Sequence, residues 1–406
     1  MLILVFYAII IVGVIMKRLL QISLDTLLAS FLPIVTWMLL GFIINQDIAN
    51  VFSLTYPLQF VYLLFVSLFG IGPNITEKKL KEKNVVSTNL LLGTIIVGLF
   101  TLFIVFNIDN YISLMNMDIN VYHNFGIYSV ISIYFSFLIQ IFSQKLYYEN
   151  RNNSANKMNI IYHLLSFSSI IFFSIIAKEE MYAITISLVI QFLMICYVFV
   201  MYFRFSKFKV CFISNFKFTS FEMLDNLSMF LIYGIGFGNS FAYGTKYLNA
   251  INFEALTTDS QWDVLTSIET ASRIDLAKDK FNYKESLKNA YKLLALLFAS
   301  TFIMNIVLYW YYTPDLGVLS ILLLVQFIDM LLFPIEAYRL NYIQINMNDK
   351  KTNLNYSISR VIRILCSFIP SAFCTYIGQL FSTAYSLTFS LVKCKGVKEF
   401  QLKQRD

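Results

Sequence analysis

Apolar runs alternate with short polar stretches along almost the whole chain. They fall at about 19–44, 51–72, 86–107, 119–142, 158–177, 181–203, 221–245, 251–276, 287–312, 316–338, 353–374 and 376–392. A helix needs roughly 20 mainly apolar residues to cross about 30 Å of hydrocarbon, so each run predicts one spanning helix, twelve in all. Helices keep their backbone hydrogen bonds within the segment, which lipid demands. Residues 2–16 are a shorter apolar run, either a further helix or an extension of the first span.

The charges sort by side. Basic clusters follow every second run: Lys78, Lys79, Lys81 and Lys83; Lys145, Arg151 and Lys157; Arg204, Lys207, Lys209 and Lys217. The pattern continues with Lys278, Lys280, Lys284 and Lys288, then Arg339, Lys350, Lys351 and Arg360, then Lys393, Lys395, Lys398, Lys403 and Arg405. By the positive-inside rule these loops and the C-terminus are cytoplasmic, in a multi-pass plasma-membrane protein. The two halves also look like copies. Leu24-Asp25-Thr26 matches Leu224-Asp225-Asn226, and Lys145-Leu146-Tyr147-Tyr148 matches Arg339-Leu340-Asn341-Tyr342. The expected organisation is a six-helix lobe over 1–203, a cytoplasmic linker at 204–219, a second six-helix lobe over 220–392 and a basic tail at 393–406. Six is even, so the repeats run parallel, related by an axis along the membrane normal.

Composition agrees and excludes other classes. Of 406 residues, 58% are hydrophobic and 14% charged, against about 25% charged in soluble domains. The apolar start lacks the basic region and cleavage site of a signal peptide. Five scattered cysteines and two distant histidines give no disulfide or metal framework. The net charge of +7 sits in short loops and reads as topology, with the bilayer and not nucleic acid as partner. No Ser-His-Asp order, phosphate-binding loop or HExxH appears, so the chain reads as no enzyme and an ion gradient as its energy source.

The eighth run breaks the apolar rule. INFEALTTDSQWDVLTSIETASRIDL carries Glu254, Asp259, Asp263, Glu269 and Asp275. An ionised carboxylate at mid-bilayer costs on the order of 3 kcal/mol, which a cavity, a cation or a polar partner must offset. Asp259 and Asp263 are four apart and share a helix face with Trp262, Thr266 and Thr270. Such a stripe suits a cavity wall, where Trp262 would stack on an organic cation. The bland alternative is a displaced span with Glu254 and Asp259 in outer-loop water. Asp329, in the apolar run Val325–Leu332, lies about 15 Å before Arg339, level with Glu269, and Glu336 shares its face. A cation bridging these helices would use their oxygens; the alternative is an internal hydrogen bond to Tyr or Asn. Asp25 and Asp225 read as helix-start acids or as a cytoplasmic gate. Tyr56, Gln59 and Tyr62 either line a cleft or pack within the lobe.

The chain resembles the multidrug and toxic compound extrusion (MATE) family, within a superfamily that includes flippase-like exporters. The resemblance is carried by the duplication, by Tyr56-Pro57-Leu58-Gln59-Phe60 through Phe69-Gly70-Ile71-Gly72-Pro73-Asn74, and by Thr258-Asp259-Ser260-Gln261-Trp262-Asp263. The segment KDKFNYKESLKN sits where the family has an amphipathic turn. The resemblance implies an all-α membrane protein of about 12 helices in two pseudo-symmetric six-helix lobes. It further implies an antiporter for efflux of cationic or amphipathic xenobiotics, working as a monomer with no cofactor beyond coupling Na⁺ or H⁺. One departure is the first span, Ser30–Trp37, which lacks the acid many members carry there; Asp263 and Asp329 are then the Na⁺ or H⁺ candidates. A flippase for a lipid-linked polysaccharide precursor would want a basic cavity, which the acids oppose. A membrane polysaccharide polymerase would want a long outer loop, and none exceeds about a dozen residues.

Overall fold

The computed structural model describes residues 32, 35–81, 84–177, 180–204, 208–241, helical positions between 247 and 276, then 282–312, 315–346, 349–371, 373–397 and 400. Among these residues there is no strand. Helix α1 (Val51–Val66) follows a 3-10 turn that Asn45 caps by accepting the Asp47 N–H, and runs through a π-turn, Ser67–Ile71, into α2 (Gly72–Leu80). Then come α3 (Val85–Phe106), the short α4 (Ile108–Leu114), α5 (Ile119–Tyr148), α6 (Asn152–Ala177), α7 (Glu180–Tyr202) and α8 (Phe212–Phe241). After the 247–276 positions follow α9 (Tyr283–Tyr312), α10 (Leu316–Asn346), α11 (Asp349–Ser367) and α12 (Cys374–Lys393).

Helices stand where the apolar runs predict them, and most overrun at the basic end. α2 runs to Leu80, α5 to Tyr148 and α10 to Asn346, while α6, α8, α9 and α11 begin four to nine residues before their apolar runs. Hydropathy reads only the part that fits the hydrocarbon. Backbone hydrogen bonding continues into the headgroup region, where lysine and arginine side chains are solvated. The amphipathic turn expected within 278–289 is, from Tyr283 onward, the start of α9. Six helices among the described residues are long and apolar enough to span a membrane by length and composition. Two that fall short, α11 and α12, have polar faces turned inward.

The chain divides into two compact units, one of which is Phe31–Ala242. Its core is aromatic and aliphatic, with Phe69, Leu90, Phe137, Phe142 and Tyr162 buried. The unit includes α8, which the 204–219 linker predicts to open the second lobe. Close backbone approach explains the placement: a Cβ on Gly72 of α2 would lie 3.1 Å from the Asn215 side chain and carbonyl on α8. Higher up, Tyr233 of α8 stacks flat on Phe60 at 5.4 Å and meets Tyr56 edge-on at 4.9 Å. Aromatic pairs at these separations add about 0.5–1.5 kcal/mol each beyond area burial.

The other unit contains Tyr243–Asp406. Leu265, Ile268, Leu293, Leu294, Met330 and Tyr338 form its apolar core. Its α11–α12 contact is different in kind. Asn355, Ser359, Arg363 and Ser367, four residues apart along α11, are all buried. Two of them meet the buried Ser386 of α12, Asn355 Nδ2 donating to Ser386 Oγ at 2.6 Å and Ser359 Oγ donating to it at 3.4 Å. Gly378 lets the backbones approach: a Cβ there would sit 2.9 Å from the Cys366 Cβ and 3.2 Å from the Arg363 Cα. Small and hydroxyl residues at a helix crossing are how membrane helices associate, since apolar side chains gain nothing over lipid there.

Candidate functional site

Helix α12 carries polar residues at 376, 379, 383, 386 and 390, a spacing that puts them on one face. Three of them meet two carboxylates. Tyr376 Oη donates to Glu254 Oε2, and the other Glu254 oxygen accepts from Thr258 Oγ1 at 2.5 Å. One turn along, Gln379 Nε2 donates to Asp329 Oδ2, and Thr383 Oγ1 donates to Asp329 Oδ1. A further turn along, Ser386 Oγ accepts from Asn355 Nδ2 of α11 at 2.6 Å. Gln326 ties the upper rungs together, accepting from Trp262 Nε1 at 2.9 Å and from Gln379 Nε2 at 3.0 Å.

Glu254 is 1% exposed and Asp329 4%. Hydrogen bonds to a charged group contribute about 1.5–3 kcal/mol each, so two donors per carboxylate offset a desolvation cost of similar size. The donors to Glu254 and Asp329 are three hydroxyls and one amide, all neutral, and hydroxyl oxygens also serve as acceptors once they rotate. Such a ring can reorganise around a proton or a small hard cation. Basic charge stands further back: Arg363 acts on Asp329 and Arg360 on Glu336 through space. Arg360 and Arg363 both lie in α11, within the predicted run 353–374.

The structure brings together only part of the sequence-predicted set. Asp329 and Trp262 join through Gln326. Glu269 and Glu336 lie at the basic end of the row, where Tyr356 Oη reaches Glu269 Oε1 at 3.5 Å and Asn341 Nδ2 donates to the Glu269 carbonyl at 2.9 Å. Tyr56, half-buried Gln59 and Asp225 belong to the Phe31–Ala242 unit, on α1 and α8. Asp25, Asp259, Asp263 and Thr266 lie outside the described residues, as does the 2–16 run. Glu254 is buried rather than bathed in loop water. The sequence reading omits Tyr376, Gln379, Thr383 and Arg363. Their signal was available as a polar 3–4 repeat in α12 and a four-residue polar repeat in α11.

The Phe31–Ala242 unit has its own buried network, built without a carboxylate. Gln191 on α7 donates to Tyr128 Oη at 3.2 Å and accepts from Ser132 Oγ at 2.9 Å and Tyr162 Oη at 3.1 Å. Ser187, one turn away, bonds Tyr128 at 3.2 Å and Ser169 at 2.8 Å. Trp37 closes the network edge-on against Tyr128 at 5.9 Å.

No family model and no curated protein matches the chain. Solved structures do. An inward-facing multidrug resistance MATE family transporter of the MOP superfamily matches with a TM-score of 0.65 at 11% identity, over 92% of this chain and 96% of the other. A variant of the Vibrio cholerae MATE transporter VcmN matches at 0.61 and 12% identity, over 95% and 98%. A MOP superfamily transporter from Pyrococcus furiosus, described as having a binding pocket of reverse polarity that suggests a different function, matches at 0.62 and 11%, over 94% and 96%. Over nearly its whole length, then, this all-helical chain has the fold of the MATE transporters of the MOP superfamily.

Proposed function

We propose that the chain is a secondary active exporter, driven by Na⁺ or H⁺ and working by alternating access on small cationic or amphipathic compounds. The observation that carries this reading is the row of buried carboxylates met by the polar face of α12. Glu254 and Asp329 are held by neutral donors in the interior of one unit. A chain bears the cost of such groups where an ion or proton pathway needs them. Asp329 is the central binding group, with Trp262 fixed beside it through Gln326. The neutral network around Gln191 is the packing counterpart in the other unit, so coupling resides in the second. Asp259, Asp263 and Thr266 stay candidates for contact with the coupling ion or substrate, and Asp25, Asp225, Tyr56 and Gln59 for gating.

A second reading, a flippase for a lipid-linked polysaccharide precursor, draws on Arg360 and Arg363 of α11, whose charges lie near the same carboxylates. Vesicles containing the protein and loaded with a fluorescent organic cation separate the two. Under an imposed Na⁺ or pH gradient the wild type expels the cation, and Asp329→Asn loses at least tenfold of the gradient-driven rate. Gradient-independent efflux, or unchanged coupling in the variant, removes the exporter reading.

A further inference from the structure

The face of α12 turned away from the carboxylate row holds a groove. It has a volume of about 700 Å³ and is lined by Ile362 of α11 and by Phe381, Ala384, Tyr385, Phe389 and Lys393 of α12. At about 100° per residue, these α12 positions centre roughly 130° from Gln379, Thr383 and Ser386, with Lys393 nearest the polar face. Ala384 and Thr388 form a low floor, and the Thr388 hydroxyl is satisfied by the Ala384 carbonyl at 2.7 Å, so the floor presents no unmet polar group. Phe381 is 60% exposed, and Val392 near the other end 64%. Lys393 closes one end, its Nζ 5.9 Å from the Phe389 ring.

We propose that this groove is a binding site for one anionic phospholipid of the cytoplasmic leaflet, with an acyl chain along the α12 face and the phosphate at Lys393. Three observations meet here. The distance from Phe381 to Lys393 is twelve residues, about 18 Å at 1.5 Å per residue. One leaflet of hydrocarbon is about 15 Å deep, so an acyl chain starting at the headgroup level covers most of the way to Phe381. The charge is complementary and sits at one end only: Lys393, with exposed Lys395 beyond it, stands at the level where the tail's basic cluster meets the headgroups. Finally, the volume lies within the roughly 300–1,000 Å³ of ligand sites, larger than an ordinary dimple between helices. Because the groove lies on the helix whose polar face donates to Glu254 and Asp329, its occupant bears on the position of those donors. The inference holds whether or not the exporter reading does.

The test uses the full-length protein, purified in detergent and stripped of lipid. Phosphatidylglycerol and phosphatidylcholine of equal chain length are titrated and followed by native mass spectrometry and thermal stability. One phosphatidylglycerol is expected to stay bound and raise the melting temperature, with at least fivefold preference over phosphatidylcholine. Lys393→Glu is expected to erase the preference, and Ala384→Leu, which fills the floor, to weaken both lipids. Independently of how those variants fold, phosphatidylglycerol with a photoreactive acyl chain should label the wild type within 362–393. Label confined to other helices, or equal retention of both lipids by the wild type, overturns the proposal.

Discussion

Two glycines in spanning helices should respond with opposite sign to the same added methyl group. At Gly378 the new Cβ meets the Cys366 Cβ at 2.9 Å and the Arg363 Cα and carbonyl oxygen at 3.2 Å. Carbon pairs settle at about 3.5–4.0 Å, so the methyl is short by roughly 0.6 Å against atoms on or next to the α11 backbone. Overpacking of this kind costs about 1–3 kcal/mol, and replacing a helical glycine returns about 0.5–1. Gly378→Ala is therefore expected to lose about 1–2 kcal/mol, a melting temperature lower by roughly 2–6 °C. It should also shift Gln379, the next residue, off Asp329. At Gly238 of α8 nothing lies within 4 Å of the added Cβ. Only the backbone gain remains, and Gly238→Ala should be neutral or stabilising by up to about 1 kcal/mol. The assay is heating of detergent-purified protein, followed by the fraction that stays monodisperse on size exclusion. An equal drop in both variants, or no drop at Gly378, would falsify the close α11–α12 crossing.

Two further perturbations probe the buried networks. Tyr376→Phe removes one donor from buried Glu254 and is expected to cost about 1.5–3 kcal/mol. Combined with Thr258→Val, it should depart from additivity by more than about 0.5 kcal/mol in a double-mutant cycle, since both hydroxyls serve one carboxylate. Strict additivity would argue against the shared site. Gln191→Leu leaves Tyr128, Ser132 and Tyr162 short of a partner and should lower stability by about 1–3 kcal/mol. The ratio of coupling ion to substrate should stay unchanged, and an altered ratio would contradict the placing of coupling in the second unit.

The spans were legible because lipid imposes one solution on an apolar run of about 20 residues, and the runs set the helix order almost element by element. Asp329 was legible for the same reason: a lone carboxylate in Val325–Leu332 has no local excuse. What surrounds it was not. The partners of Asp329, Gln379 and Thr383, are 50 and 54 residues away in sequence, and the partner of Glu254, Tyr376, is 122 residues away. Nothing local links them, and Gln, Thr and Tyr in a span draw less notice than acids.

The hydrophobic pattern by itself determined where the described helices lie and the rule that a buried acid needs a partner, since these follow from the solvent that each segment faces. Tertiary structure alone decided which helices pair, and so which donors meet which acids. It joined α8 to α1 and α2 through Gly72, and α11 to α12 through Gly378. Those choices rest on backbone approach and on polar groups that lipid leaves no other way to satisfy.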